Sequence, residues 1–201
     1  MEKQTHFRRP STEKLILGAA LTALVVILQL LGSFIHLGPF SVSLVLLPIV
    51  IGAAVGGTKL STWLGGVFGV VVLITDAAAF FTVSIFGTLL TVMLKGIAAG
   101  FVAGVVYNLL KEKNQYLAVI LAALACPLAN TGVFVLGCFA FFFKTLGEWG
   151  LAYGFDNAIS YIFLGMVGAN FLFEVASNLI LSPVVVRLLN VLKKQLNKGK
   201  A

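Results

Sequence analysis

The sequence has few charged residues and few of the side chains on which enzymes rely. Only 10% of its 201 residues are charged, and it holds two cysteines and two histidines. It contains no P-loop, HExxH or Gly-x-Ser-x-Gly motif, so nucleotide hydrolysis and the familiar hydrolytic chemistries lack their residues. Cys126 and Cys138 lie in one apolar stretch without a second cysteine pair or a nearby histidine. We interpret both as small apolar residues and expect no metal site.

Hydrophobic residues make up 60% of the chain, and the mean hydropathy is +1.07. A soluble domain of this size cannot cover so much apolar surface, and a spanning helix needs about 20 mostly apolar residues. We therefore predict an all-α integral membrane protein, a single membrane domain over residues 1–201 that forms a bundle of six transmembrane helices. The predicted spans are residues 15–35, 40–57, 61–79, 85–109, 116–143 and 158–190.

The basic residues predict the orientation of these spans. The net charge is +7, but the basic side chains cluster at the chain ends and in two short loops, which favours a role in membrane orientation over nucleic-acid binding. With both termini cytoplasmic, only Lys144 among the basic residues outside the spans falls in an outer loop. The run 15–35 is longer than a signal-peptide core, so we expect it to be retained as the first span.

Two ionisable residues lie deep inside predicted spans, Lys95 in the fourth and Glu174 in the sixth. Charges at this depth are costly and are candidates for function by default. They could pair with each other, or one or both could face a cavity for a polar ligand. Asn170, Glu174 and Asn178 recur every four residues and share one helix face, which we expect to point into the bundle. For Asn178 we favour simple interhelical hydrogen bonding.

The fifth predicted span carries a second polar group beside a helix irregularity. Pro127 frees a backbone carbonyl, and Asn130 and Thr131 follow within one turn, which suits a buried ligand site. Phe134 lies on the same face as Asn130 and could form an aromatic wall or pack as an ordinary core residue. In the outer loop 76–82, Asp76 could belong to a lid over the ligand or to a solvated connector.

The first span has a face of small residues. Gly18, Ala19, Thr22 and Ala23 recur at helical spacing, and such faces let another helix approach closely, within one bundle or from a partner protein.

Taken together, the chain resembles the substrate-binding S components of energy-coupling factor (ECF) vitamin transporters. The resemblance covers essentially the whole chain and rests on three features. These are six spans in about 200 residues with both ends inside, the Ala19 and Ala23 spacing after a basic leader, and the stretch Gly38-Pro39-Phe40-Ser41-Val42-Ser43-Leu44 that leads into the second span.

The resemblance implies a vitamin-capturing subunit without a cofactor of its own. Such a subunit docks on a transmembrane coupling subunit that is driven by two ATP-binding cassette ATPases, which hold ATP and Mg²⁺. Ala19 and Ala23 would meet the coupling subunit, the loops 36–40 and 76–82 would be gates, and the bundle would topple in the bilayer to release its ligand. The implied location is the plasma membrane of a Gram-positive bacterium.

The pantothenate-type members are the most similar. Lys95 could meet the pantothenate carboxylate, and Asn130, Thr131 and Asn170 could bind its hydroxyl and amide groups. Glu174 argues against an anion unless it pairs with Lys95. Cobalamin, riboflavin and folate remain alternatives, as do a self-sufficient channel or facilitator lined by the polar residues and, with least support, an intramembrane enzyme.

Overall fold

The computed structural model describes residues 12–34, 36–37, 40–41 and 45–198, and almost all of them are helical. The N-terminal basic leader and most of the 38–44 stretch lie outside the described residues. The elements in chain order are α1 (Thr12–Gly32), β1 (His36–Leu37), β2 (Phe40–Ser41), α2 (Leu46–Thr75), α3 (Ala78–Phe81), α4 (Ile85–Leu110), α5 (Gln115–Gly137), a π-helical segment (Cys138–Phe142), α6 (Phe143–Ala152), α7 (Ala158–Ser160), a second π-helical segment (Tyr161–Gly168) and α8 (Ala169–Lys198).

Five helices of the described chain are long and apolar enough to cross a membrane, which confirms an α-helical membrane protein. The predicted second and third spans lie in the element α2, whose backbone is not helical at Gly57, so two helices meet there, at the end of the predicted second span. Leu64 of the second helix lies against Gly52 of the first, whereas twelve residues of one continuous helix would separate them by about 18 Å, so the chain folds back at this point. Gly57 adopts φ 68° and ψ −162°, a backbone conformation open to glycine alone at little cost. The separation into six spans and the cytoplasmic position of both termini stay predictions.

Helices α2 and α4 approach until their backbones touch. Cβ atoms placed on Gly65 and Gly96 would each overlap a carbonyl oxygen of the opposite helix, and one on Gly100 would overlap the carbonyl of Ser61. We call this line of contact, formed by Ser61, Gly65, Gly96 and Gly100, the glycine seam. Small residues permit such close approach. Because lipid tails are as apolar as the side chains, helices in a membrane associate mainly through van der Waals packing of this kind.

Pro127 and Pro183 lie inside spanning helices, and each leaves one backbone carbonyl without its usual N–H donor. In both cases a side chain donates a hydrogen bond to that carbonyl. Pro127 in α5 cannot donate to the carbonyl of Ala123, and Asn178 Nδ2 of α8 donates to it at 3.2 Å. Pro183 in α8 frees the carbonyl of Leu179, which accepts from Ser182 Oγ at 2.7 Å. These side-chain donors supply the hydrogen bonds that water cannot supply to a backbone carbonyl inside the membrane. It also confirms the prediction of interhelical hydrogen bonding for Asn178.

The glycine seam generates a prediction about stability. Gly65→Ala is expected to destabilise the protein by about 1–3 kcal/mol, because the new methyl group overlaps the backbone of α4. The unfolding temperature is measured by heating purified protein with a thiol-reactive fluorophore. Cys126 and Cys138 are buried in the folded bundle, so they react when it unfolds.

The neighbouring Gly66→Ala is the control. Its Cβ would meet only Ile97 Cγ1, at 3.9 Å, so we expect an unfolding temperature close to that of the wild type. Equal unfolding temperatures for Gly65→Ala and Gly66→Ala would show that the seam is not tightly packed.

Candidate functional site

A buried cavity of about 90 Å³ lies inside the bundle, between α1, α2, α4, α5 and α8. A single water molecule needs only about 10–15 Å³ by this measure, so the space exceeds that of one solvent molecule. All the residues predicted to bind substrate line this cavity: Asp76, Lys95, Asn130, Thr131, Phe134, Asn170 and Glu174. The structure thus brings them together from four elements, while their role in binding stays a prediction.

Lys95 reaches the cavity from α4. It directly precedes Gly96 of the glycine seam in the chain. Its ammonium lies 5.7 Å from the ring centroid of Phe68 on α2 and 5.1 Å from that of Phe134 on α5. Cation–π contacts of this kind stabilise an ammonium that has left bulk water. Phe134 therefore forms one wall of the cavity and supports Lys95, the one lysine among the described lining residues.

Helices α5 and α8 meet across the cavity through polar side chains. The side chain of Asn130 lies beside the Glu174 carboxylate and interacts favourably with it, and Asn170 Nδ2 donates to the carbonyl of Met166 at 3.3 Å. Asn130 and Glu174 are 5% and 6% exposed. Within the described chain, Asn130 Oδ1, Asn170 Oδ1 and Glu174 Oε2 are buried and have no hydrogen-bond partner.

Lys95 interacts electrostatically with both acidic residues of the cavity, Glu174 and Asp76. In the described part of the chain, no ion pair within 4.0 Å joins Lys95 to Glu174. The ammonium is therefore attracted to Glu174 across the cavity without a direct ion pair to it. It can therefore turn toward a charged or polar group of a ligand.

The loop that follows α2 closes one end of the cavity. Asp76 Oδ2 accepts hydrogen bonds from Gln29 Nε2 of α1 at 2.7 Å and from Thr75 Oγ1 at 2.6 Å. Phe80 of α3 packs edge-on against Phe142 at 5.0 Å between ring centroids, against Trp149 at 5.8 Å and against Phe134 at 6.0 Å. Asp76 and Phe80 both line the cavity, so the segment 76–82 covers it and is more than a solvated connector.

Several lining residues were not predicted from the sequence. Gln29 is 1% exposed, and its isolation as an amide inside the apolar first span was a signal that could have found it. Phe142 and Met166 belong to the two π-helical segments, which no sequence pattern marked. Such segments often occur at functional sites because the wider turn re-aims side chains.

Ala19 and Ala23 do not line the cavity. Both are exposed on α1, on the side turned away from the buried residues Leu21, Val25 and Gln29. The other two residues of the small face meet α2 within the bundle, since Gly18 lies against Leu60 and Thr22 Oγ1 accepts a hydrogen bond from Trp63 Nε1 at 3.2 Å.

The electrostatic link between Lys95 and Glu174 generates a second prediction. Lys95→Met is expected to destabilise the protein by about 1–3 kcal/mol, because it leaves the buried Glu174 carboxylate without its cation. Adding Glu174→Gln, which removes the charge, should restore much of that loss. The same thermal unfolding measurement decides between these outcomes.

Lys144→Met, at an exposed position, is the control and should change stability little. If the double variant is no more stable than Lys95→Met, the two charges do not support each other.

Comparison with protein families places most of the chain in one of them. The family described as ECF transporter, substrate-specific component, matches residues 13–186, most of the 201-residue chain. Neither the curated proteins nor the solved structures give a significant match.

Proposed function

We propose that this chain, which belongs to the family of ECF transporter substrate-specific components, captures a vitamin from the outside of the cell and delivers it to a coupling subunit. The family makes it a membrane-embedded subunit of a transporter and not an enzyme. The observation that carries the proposal is the cavity in which α4, α5 and α8 place Lys95, Asn130 and Glu174 together.

Pantothenate is the substrate we propose first. Its carboxylate suits the Lys95 ammonium, and its hydroxyl and amide groups suit Asn130, Thr131 and Asn170, which line the same cavity. The aromatic rings of Phe80 and Phe134 would cover its apolar methyl groups. Cobalamin, riboflavin and folate are the other vitamins that the experiments below include.

The proposed transport cycle depends on partner subunits. The exposed face at Ala19 and Ala23 would dock on a transmembrane coupling subunit, and two ATP-binding cassette ATPases, with their ATP and Mg²⁺, would supply the energy. The bundle, with six spans and both termini cytoplasmic in the plasma membrane of a Gram-positive bacterium, would topple to release its ligand inside. The segment 76–82 and the loop 36–40 would act as the outer gates.

The first test is binding. Purified protein in detergent, without any ATPase subunit, is titrated with pantothenate, riboflavin, folate and cobalamin by calorimetry. Tight binding of one vitamin at one per protein supports capture. Passive solute flux in vesicles that contain this chain alone, with no binding of any vitamin, would instead indicate a channel.

Charge recognition by Lys95 generates a third prediction. Lys95→Met should weaken pantothenate binding by about tenfold or more, because a charged hydrogen bond to the carboxylate is lost. Panthenol, which has a hydroxymethyl group in place of the carboxylate, should bind the wild type more weakly than pantothenate and should bind Lys95→Met about as well as it binds the wild type.

Lys95→Arg keeps the charge, and Lys144→Met removes a charge at an exposed position away from the cavity. Lys144→Met should bind as the wild type does, and Lys95→Arg should retain more affinity than Lys95→Met. Unchanged affinity in a folded Lys95→Met protein would refute the carboxylate contact.

The exposed small face of α1 generates a fourth prediction. Ala19→Trp and Ala23→Trp should abolish vitamin uptake by the assembled transporter while leaving vitamin binding to the isolated chain unchanged, since both side chains lie outside the cavity. Co-purification with the coupling subunit measures the lost contact.

Leu128→Trp is the matched control, because Leu128 is an exposed residue on α5, away from α1. Its uptake should equal that of the wild type. Normal uptake by both alanine variants would place the docking surface elsewhere.

A further inference from the structure

Five side-chain oxygens around the cavity are buried without a hydrogen-bond partner among the described residues. They are Asn130 Oδ1, Asn170 Oδ1 and Glu174 Oε2, which we call the acceptor wall, together with Gln29 Oε1 and Thr91 Oγ1. All five parent residues line the cavity. Amide oxygens, and carboxylate oxygens while the group is ionised, accept hydrogen bonds and cannot donate them, whereas the Thr91 hydroxyl can do both.

The orientation of each amide follows from what its nitrogen does. Gln29 Nε2 donates to Asp76 Oδ2 and Asn170 Nδ2 donates to the carbonyl of Met166, so turning either amide over would place its oxygen against another acceptor. The Asn130 amide lies beside the Glu174 carboxylate, which favours the orientation that turns its nitrogen toward that group. The protein therefore uses its own amide donors and leaves acceptors unsatisfied.

Unsatisfied acceptors are costly in a membrane bundle, where water is scarce and a buried polar group without a partner is destabilising. A ligand that carries hydroxyl or N–H groups would supply the missing donors. A ligand with acceptors alone would face repulsion from these oxygens. On the other side of the cavity, Lys95 is the charged donor available to an acceptor or anionic group of the ligand.

We propose that the acceptor wall is the recognition surface for hydrogen-bond donors of the ligand, so that the substrate carries at least two hydroxyl or N–H groups on the part that faces α5 and α8. The acceptor or anionic end of the ligand lies toward Lys95. This inference rests on the proposed function, because it assumes that the cavity holds the transported molecule. It goes further by fixing the direction in which the ligand lies and the chemistry at each end.

Two substitutions in the acceptor wall test the inference. Asn170→Leu removes an acceptor while keeping a similar shape. Glu174→Gln can keep the oxygen that Asn130 contacts and place an NH₂ donor where Oε2 was, which reverses the hydrogen-bonding polarity without a change in size. Asn170→Ala replaces Asn170→Leu if the leucine variant does not purify as a monodisperse protein.

Asn178→Leu is the matched control. Asn178 lies on the same helix as Asn170, two turns further along, is buried, and donates to the carbonyl of Ala123. It does not line the cavity. The same substitution there removes a buried asparagine without touching the proposed recognition surface.

The probes are pantothenate and two analogues that each lack one of its hydroxyl groups, titrated by calorimetry into the full chain in detergent. We expect the wild type to bind at least one analogue roughly tenfold more weakly than pantothenate. Asn170→Leu and Glu174→Gln should bind pantothenate roughly tenfold more weakly and lose discrimination against at least one analogue. Asn178→Leu should behave as the wild type does.

The outcomes separate this inference from the proposed function. Tight pantothenate binding with no discrimination between the analogues, or with unchanged affinity in both wall variants, overturns the inference and leaves vitamin capture standing. If riboflavin, folate or cobalamin binds in place of pantothenate, both wall variants must bind that vitamin roughly tenfold more weakly than the wild type does, and Asn178→Leu must bind it as the wild type does. Equal affinities of the wall variants and the wild type for that vitamin overturn the inference. Failure of all four vitamins to bind the wild type overturns both.

Discussion

The contact between the backbones of α2 and α4 determines where the functional side chains can lie. Because Gly65, Gly96 and Gly100 have no side chains, the two helices approach until carbonyl groups of one meet the Cα atoms of the other. Lys95 precedes Gly96, so the close approach fixes the position of its backbone. Its long side chain then reaches the space between Phe68 and Phe134. A wider separation of α2 and α4 would remove Phe68 from the ammonium.

The asparagines of α8 show how one residue type serves two purposes in the same helix. Asn178 gives its amide nitrogen to the carbonyl freed by Pro127 of α5, and so repairs a defect in the backbone. Asn170, two turns earlier, gives its nitrogen to its own helix and keeps a buried oxygen without a partner beside the cavity. The contrast lies in the neighbouring helix and not in the asparagine itself, because α5 offers a free carbonyl at one level only.

The sequence predicted the membrane class and the residues around the cavity because both follow from one rule: polar side chains within apolar spans must face the protein interior. That rule identified Lys95, Asn130 and Glu174, which lie on three different helices, without any information on how those helices pack. The boundary predicted between residues 57 and 61 also falls where the helical backbone of α2 is interrupted, at Gly57. The rule could not find Phe142 and Met166, because a π-helical turn leaves no periodic signal in an apolar run.

A directional bond ties α5 to α8, because Asn178 donates to the carbonyl of Ala123, and at a second level Asn130 lies beside Glu174. On α5 these two points are separated by roughly 10 Å along the helix axis. Phe80 meets Phe134, Phe142 and Trp149 through edge-on ring contacts instead. One side wall of the cavity is therefore held by polar contacts at two levels, whereas its cover rests on aromatic packing, which fixes no donor against an acceptor.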